Sequence, residues 1–213
     1  MLSEREGLDA RRWADLMSRL ALANNLDTFE RLQAAYAEKR RHYHTSEHIQ
    51  QCLLKFEEVS HLAQRPAEVE LALWFHDAVY ATRSKKNEAK SAAWAMKFLA
   101  DGGADPETAQ RVHDLIMATK HDAPAPSADG TVLVDIDLSI LGADAETFTH
   151  FEQNVRREYW RVPGDLFRKT RAAILQSFLD RSSVYGTVYF RQKVEANARR
   201  NLATAIAVLA ERE

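Results

Sequence analysis

With a single cysteine, Cys52, the chain cannot brace itself with an intramolecular disulfide, and it suits a reducing compartment. Glycine and proline are also scarce, 7 and 5 in 213 residues, so little punctuation interrupts the long periodic stretches. Net charge is nearly absent. The formal value of −2 offers no bulk attraction for nucleic acid or an anionic membrane surface, which leaves small molecules or proteins as partners. No apolar run approaches the ~18 residues of a membrane span, and "MLSEREGLDARRW" lacks the apolar core of a signal peptide, so a cytoplasmic location is expected.

What is present is ordinary globular material. Hydrophobic residues at 46% and charged residues at 28% separate the chain from disordered sequences, and its length suits one domain with a real core. Apolar residues recur at three and four, which predicts an all-α fold. Leu8, Trp13, Leu16, Met17 and Leu20 mark a first helix, and Phe29, Leu32 and Tyr36 a second. A third follows the cap Thr45, with Ile49, Cys52, Leu53 and Phe56 on one face. Pro66 opens a helix running towards Tyr80, Gly102-Gly103 stops "NEAKSAAWAMKFLAD", and Asp105-Pro106 starts "ETAQRVHDLIMAT". "HDAPAPSADG" reads as irregular, and "TVLVDIDLSILG", partly alternating, as a short helix. Two or three further helices run from Asp144 onward, with Pro163-Gly164 breaking the first from the second. Their arginines, balanced by acids, read as a solvated face.

Three of the 8 histidines, His42, His44 and His48, fall within "RRHYHTSEH". His42 suits a solvated helix start. His48 precedes Cys52 by four residues and borders the apolar stripe, so it faces inward, as many core histidines do. The dipeptide His-Asp occurs three times and is weak as a bare pattern. In "ELALWFHDAVY", His76 and Asp77 project from an apolar helix, where an ionised acid needs a compensating cation or hydrogen bonds. His113-Asp114 reads as a core histidine beside an exposed acid, and His121-Asp122 opens the Pro-rich loop. In the "TVLVDIDLSILG" helix, Asp137 shares its face with Leu133, Val134, Ile140 and Leu141 and is expected to lie deeper than Asp135. Singly, such an acid is more often a cap or an arginine partner.

Together His48, His76, Asp77 and Asp137 make a donor set of two imidazoles and two carboxylates, suited to a divalent ion with positions left for water and substrate. Mn, Fe, Co, Ni, Zn and Mg all accept such ligands to different degrees.

The order of a His, a His-Asp pair on a helix and a distant Asp, in an all-helical chain, resembles the HD-domain superfamily of metal-dependent phosphohydrolases. "RRHYHTSEHI", "LALWFHDAVY", "NEAKSA", "IMATKHD" and "DIDLSILG", with "RREYWRVP", "FLDRSSVY" and "EANARRNL", are similar to the poorly characterised predicted HD phosphohydrolases of bacteria. The resemblance covers most of the chain. It implies a single-domain helical bundle of the HD-domain type over 1–213, with the metal-site core near 40–142 and helices of 144–213 packing on it. It places the metal ligands at His48, His76, Asp77 and Asp137, with His44 ranked second for the first position. It favours Asp137 over Asp135 because the family's last Asp precedes a leucine-containing segment.

The implied activity is hydrolysis of a phosphoester or phosphoanhydride of a small molecule, such as a nucleotide, with the ion supplying an activated water and a polarised phosphoryl oxygen. Asp77 is then catalytic as well as a ligand. Arg41, His44, Lys120 and His121 are candidates for substrate binding, with Lys85 and Lys86 in a loop that solvation explains equally well. Glu88 is the candidate general acid or base, although the helix macrodipole alone favours an acid in a first turn. Two other readings stand beside this one. A di-iron HD-type oxygenase would draw extra ligands from His113 or His121, and a non-catalytic module would use the metal to hold a ligand-binding fold. Leu202, Ile206 and Leu209 are expected to pack either on the domain or on another subunit, as in a homodimer.

Overall fold

The computed structural model describes residues 8–211; the start of the stretch read above for a leader lies outside them. Among the described residues there are ten α-helices, two short 3-10 segments and no strand, so the all-α expectation holds. No helix among these residues is long and apolar enough to cross a membrane. The chain divides into two compact units, 1–136 and 137–213.

The first unit is organised around α4 (Pro66–Phe75). Val69 and every residue from Leu71 to Phe75 are fully buried, so this helix is apolar all round and lies in the core rather than on it. Each of its large apolar side chains contributes about 1.5–3 kcal/mol by leaving water. Around it pack α1 (Ala10–Arg19), α3 (Ser46–Val59), α5 (Asn87–Asp101) and α6 (Pro106–Ala118), and α2 (Leu26–Tyr36) packs on α1. Trp74 meets Trp13 edge to face, with ring centroids 5.4 Å apart, and Phe29, Phe75 and Phe98 complete the aromatic cluster.

Two acids on α4 are nonetheless buried, and arginines from neighbouring helices compensate them. Glu70 accepts from Arg12 Nε and Arg19 Nη2, both at 2.6 Å, and Glu68 receives both arms of Arg111 at 2.8 Å. These are charge-assisted bonds, and they fix α1 and α6 against the central helix.

Local signals account for most helix ends. Asp105 accepts from Thr108 N at 2.8 Å with Pro106 following, and α5 stops at Gly102 with Gly103 at a positive φ of 80° that favours glycine. Three expectations change. Thr45 occupies the cap position of α3, but its hydroxyl makes no cap bond and instead donates to the Tyr43 carbonyl at 3.4 Å. The helix α4 ends at Phe75, well short of Tyr80, and the chain turns there, with Ala78 N donating to Phe75 O at 2.9 Å. The irregular loop is shorter than read. Ser127 Oγ accepts from Gly130 N at 3.0 Å and starts α7 (Ala128–Asp137) inside "SADG", which buries Asp129. Asp129 accepts from the backbone of Gln64 and Arg65 at 2.6 and 3.0 Å, satisfying donors just ahead of α4.

The second unit holds a 3-10 segment (Leu138–Gly142), α8 (Ala145–Glu158), α9 (Gly164–Leu179) and α10 (Val188–Ala210). The 3-10 segment is tied to α10 by Asn201, which donates to Leu141 O and Ala143 O at 2.9 Å, and Tyr185 donates to Leu138 O at 3.1 Å. Gly142 permits this approach, since a Cβ there would lie 2.6 Å from Val194 Cβ. Leu202 is buried, whereas Ile206 and Leu209 are half-buried.

Candidate metal centre

Helices α3 and α4 of the first unit carry the two histidines. On α3, His48 lies in the first turn and is buried, directed inward by the stripe Ile49, Cys52, Leu53 and Phe56. His76 caps α4 and Asp77 follows in the turn. Asp137 is the final residue of α7, whose preceding residues all belong to that unit.

His48 Nε2 and His76 Nε2 lie 3.2 Å apart, Asp77 Oδ2 is 3.2 Å from His76 Nε2, and it is 3.6 Å from His48 Nε2. Donors held about 2.1 Å from one ion are about 3.0 Å apart at right angles and about 3.4 Å apart at the tetrahedral angle. The triangle therefore has the dimensions of a ligand face. His76 Nδ1 is 2.9 Å from the Leu73 carbonyl, an atom that can only accept, so Nδ1 carries the proton and Nε2 presents its lone pair. That bond is the usual orienting contact of a metal-binding imidazole. The residues fit a divalent ion.

Donor atoms of His48, Cys52, His76 and Asp137 also lie within 4.8 Å of one another, and this cluster could hold a metal ion. The sequence places Cys52 only in the apolar stripe, and its spacing of four from His48 is the signal that it can join the cluster. Its Sγ is 3.7 and 3.8 Å from the two ring nitrogens of His48, nearly equidistant, and so lies beside the ring rather than along the Nε2 lone pair. An ion on that lone pair would be roughly 4.5 Å from the sulfur, against about 2.3 Å for a zinc–thiolate bond. Asp77 Oδ2, the third vertex of the triangle, is not part of that cluster.

Asp77 keeps its charge by a contest of effects. Burial pushes its carboxyl up, but the charges that His76, His44 and His48 carry when protonated, with a hydrogen bond from a protonated His76 Nε2, hold it well below the usual carboxylate range, and an ion on that nitrogen would take the proton's place. His44 reaches this field from outside the triangle. Its ring is stacked on Tyr80 with centroids 4.1 Å apart and lies 6.1 Å from that of His48.

The relative depth of the two α7 acids is the reverse of the sequence expectation. Asp135 is almost completely buried and Asp137 is half-buried, because Asp135 lies within the helix among Val132, Leu133 and Ile136, whereas Asp137 ends it. The shallower acid is the one that joins the histidines.

The remaining candidates are spread more widely. Glu88 sits half-buried in the first turn of α5. That turn is stitched to the segment after Asp77, since Val79 N donates to Ser91 Oγ at 3.0 Å and Ala81 N to Asn87 Oδ1 at 3.2 Å. Lys120 is exposed, pairs with Asp122 at 2.8 Å and is raised by that bond and by the charges of Asp122 and Glu88. His121 follows at a positive φ of 57°. Lys85 and Lys86 are exposed. His113 is half-buried rather than a core residue and contacts the exposed Asp114 at 2.9 Å, since its position on α6 turns it towards solvent. Arg41 is buried, with its donors on protein atoms.

The chain matches no protein-family model, no curated protein and no solved structure.

Proposed function

We propose that the protein is a metal-dependent phosphohydrolase of the HD type, acting on a phosphoester or phosphoanhydride of a small molecule such as a nucleotide. The observation that carries this reading is the triangle of His48 Nε2, His76 Nε2 and Asp77 Oδ2, with sides of 3.2, 3.6 and 3.2 Å and Asp137 beside the imidazoles. A divalent ion held there would supply an acidified water and an electrophile for the phosphoryl group. His76 is oriented by Leu73, which turns its Nε2 towards Asp77 Oδ2. In this reading His44 and Lys120 are the candidate cations for the substrate, and Glu88, within the electrostatic reach of Lys120, is the candidate proton carrier.

Elemental analysis of the purified protein, followed by phosphate and pyrophosphate release from a phosphoester and nucleotide panel with Mn, Fe, Co, Ni, Zn or Mg added, tests the proposal. Metal-dependent release by wild type, lost in His76→Ala and Asp77→Ala, is the expected result. Two irons per chain with oxygen consumption would replace hydrolysis by oxygenase chemistry. Metal binding with no turnover would leave a ligand-binding module.

A further inference from the structure

Arg41 is among the most deeply buried charges in the molecule, with 1% of its side chain exposed. Its guanidinium is directed at backbone. Nη1 donates to Asp77 O at 2.6 Å and to His44 O at 3.2 Å, Nη2 donates to Ala78 O at 3.0 Å, and Nε reaches Glu38 Oε2 at 3.3 Å. Its plane is flanked by Tyr36 and Tyr80, whose ring centroids lie 5.3 and 5.6 Å from Cζ. Tyr80 is the ring on which His44 stacks.

Several features separate this arrangement from a simple helix cap. The carbonyls it gathers come from two segments that each enter the site: the loop leading into α3 through His44, and the turn after α4 through Asp77 and Ala78. A desolvated cation is a costly way to satisfy carbonyls unless its charge is also used. Here the charge is spent on three carbonyls and on Glu38 Oε2 together. The fork shape matters too, since a lysine is a point charge on a flexible stem and cannot hold three carbonyls in a fixed plane.

We propose that Arg41 is a positioning residue of the metal centre, fixing the backbone of Asp77 and the His44 loop so that the Asp77 carboxylate meets the two imidazoles at ligand spacing. The role rests on the metal-site reading above. It replaces direct contact with a phosphoryl group, because the guanidinium is already committed to three carbonyls and shielded from solvent.

Cobalt titration followed by visible d–d absorption tests it in the intact chain, since band intensity reports coordination geometry independently of turnover. Arg41→Lys is expected to bind Co²⁺ about 10- to 100-fold more weakly, as other orienting contacts do, and to show altered band intensity. Glu70→Gln, which disturbs the Arg12 and Arg19 pairs on the same helix away from the site, should lower the melting temperature and leave affinity and spectrum unchanged. If Arg41→Lys does not fold, Arg41→Gln is read in its place. Wild-type affinity and spectrum in the Arg41 variant, or an equal loss in Glu70→Gln, would overturn the proposal, as would loss of the folded state in both Arg41 variants. No cobalt uptake by wild type would sink the metal reading itself.

Discussion

His76 turns its Nδ1–H back along α4 to the Leu73 carbonyl, 2.9 Å away, and thereby presents Nε2 to His48 and Asp77. A helix interior would have used that carbonyl for a backbone amide further on. Because α4 ends at Phe75, the carbonyl near its end is available to hold the imidazole.

The most direct consequence is that His48→Ala, His76→Ala and Asp77→Ala should each lose bound metal. In wild type, adding an accepted divalent ion at about 100 times its dissociation constant should stabilise the fold by about 2.7 kcal/mol. Differential scanning calorimetry with and without chelator measures this. A wild-type melting temperature indifferent to every ion tried would remove the site.

Asp135 and Asp137 should separate cleanly. Asp137→Asn is expected to weaken metal binding with little effect on stability, since Asp137 is half-buried at a helix end. Asp135→Ala is expected to keep its metal but lose about 1–3 kcal/mol, because a buried acid engaged with its surroundings leaves partners unsatisfied when removed. Metal content and urea unfolding of both variants give the answer, and equal metal loss would place Asp135 in the site instead.

Glu70 is buried between Arg12 and Arg19, so Glu70→Ala strands two guanidinium groups against the central helix. Losing one member of a fully buried pair costs about 3–5 kcal/mol, and the partial exposure of these arginines should reduce that to about 2 kcal/mol. Chemical unfolding reads the difference.

Acid sensitivity should come in part from Glu195. Burial raises its carboxyl, but hydrogen bonds from the Val184 and Tyr185 amides, the Ser183 hydroxyl and Arg199 together hold it below the ordinary glutamate value. A depressed folded value stabilises above the unfolded pKa of about 4.3, and that contribution disappears as pH falls through the folded value. Glu195→Gln should therefore be less stable than wild type at pH 7, with the gap closing in acid. Thermal unfolding across that range checks the sign, and a gap that widens in acid would contradict it.

Much of the local structure was legible in the sequence because its causes are local. Asp105-Pro106 and Gly102-Gly103 act on their own backbone, and the 3.6-residue stripe of Ile49, Cys52, Leu53 and Phe56 sets which way His48 points whatever packs against it. The end of α4 was not legible. The turn that follows it is held by Arg41, 36 residues away from Asp77, whose fork takes the Asp77 and Ala78 carbonyls.

The sequence alone determined an all-α chain with inward-facing His48 and His76, since helical periodicity is a property of consecutive residues. Tertiary structure decided which donors converge. Periodicity ranks the faces of one helix but carries no distance between two, so neither the meeting of His48 with His76, the off-axis place of Cys52 nor the choice between Asp135 and Asp137 could be read before α3, α4 and α7 were packed together.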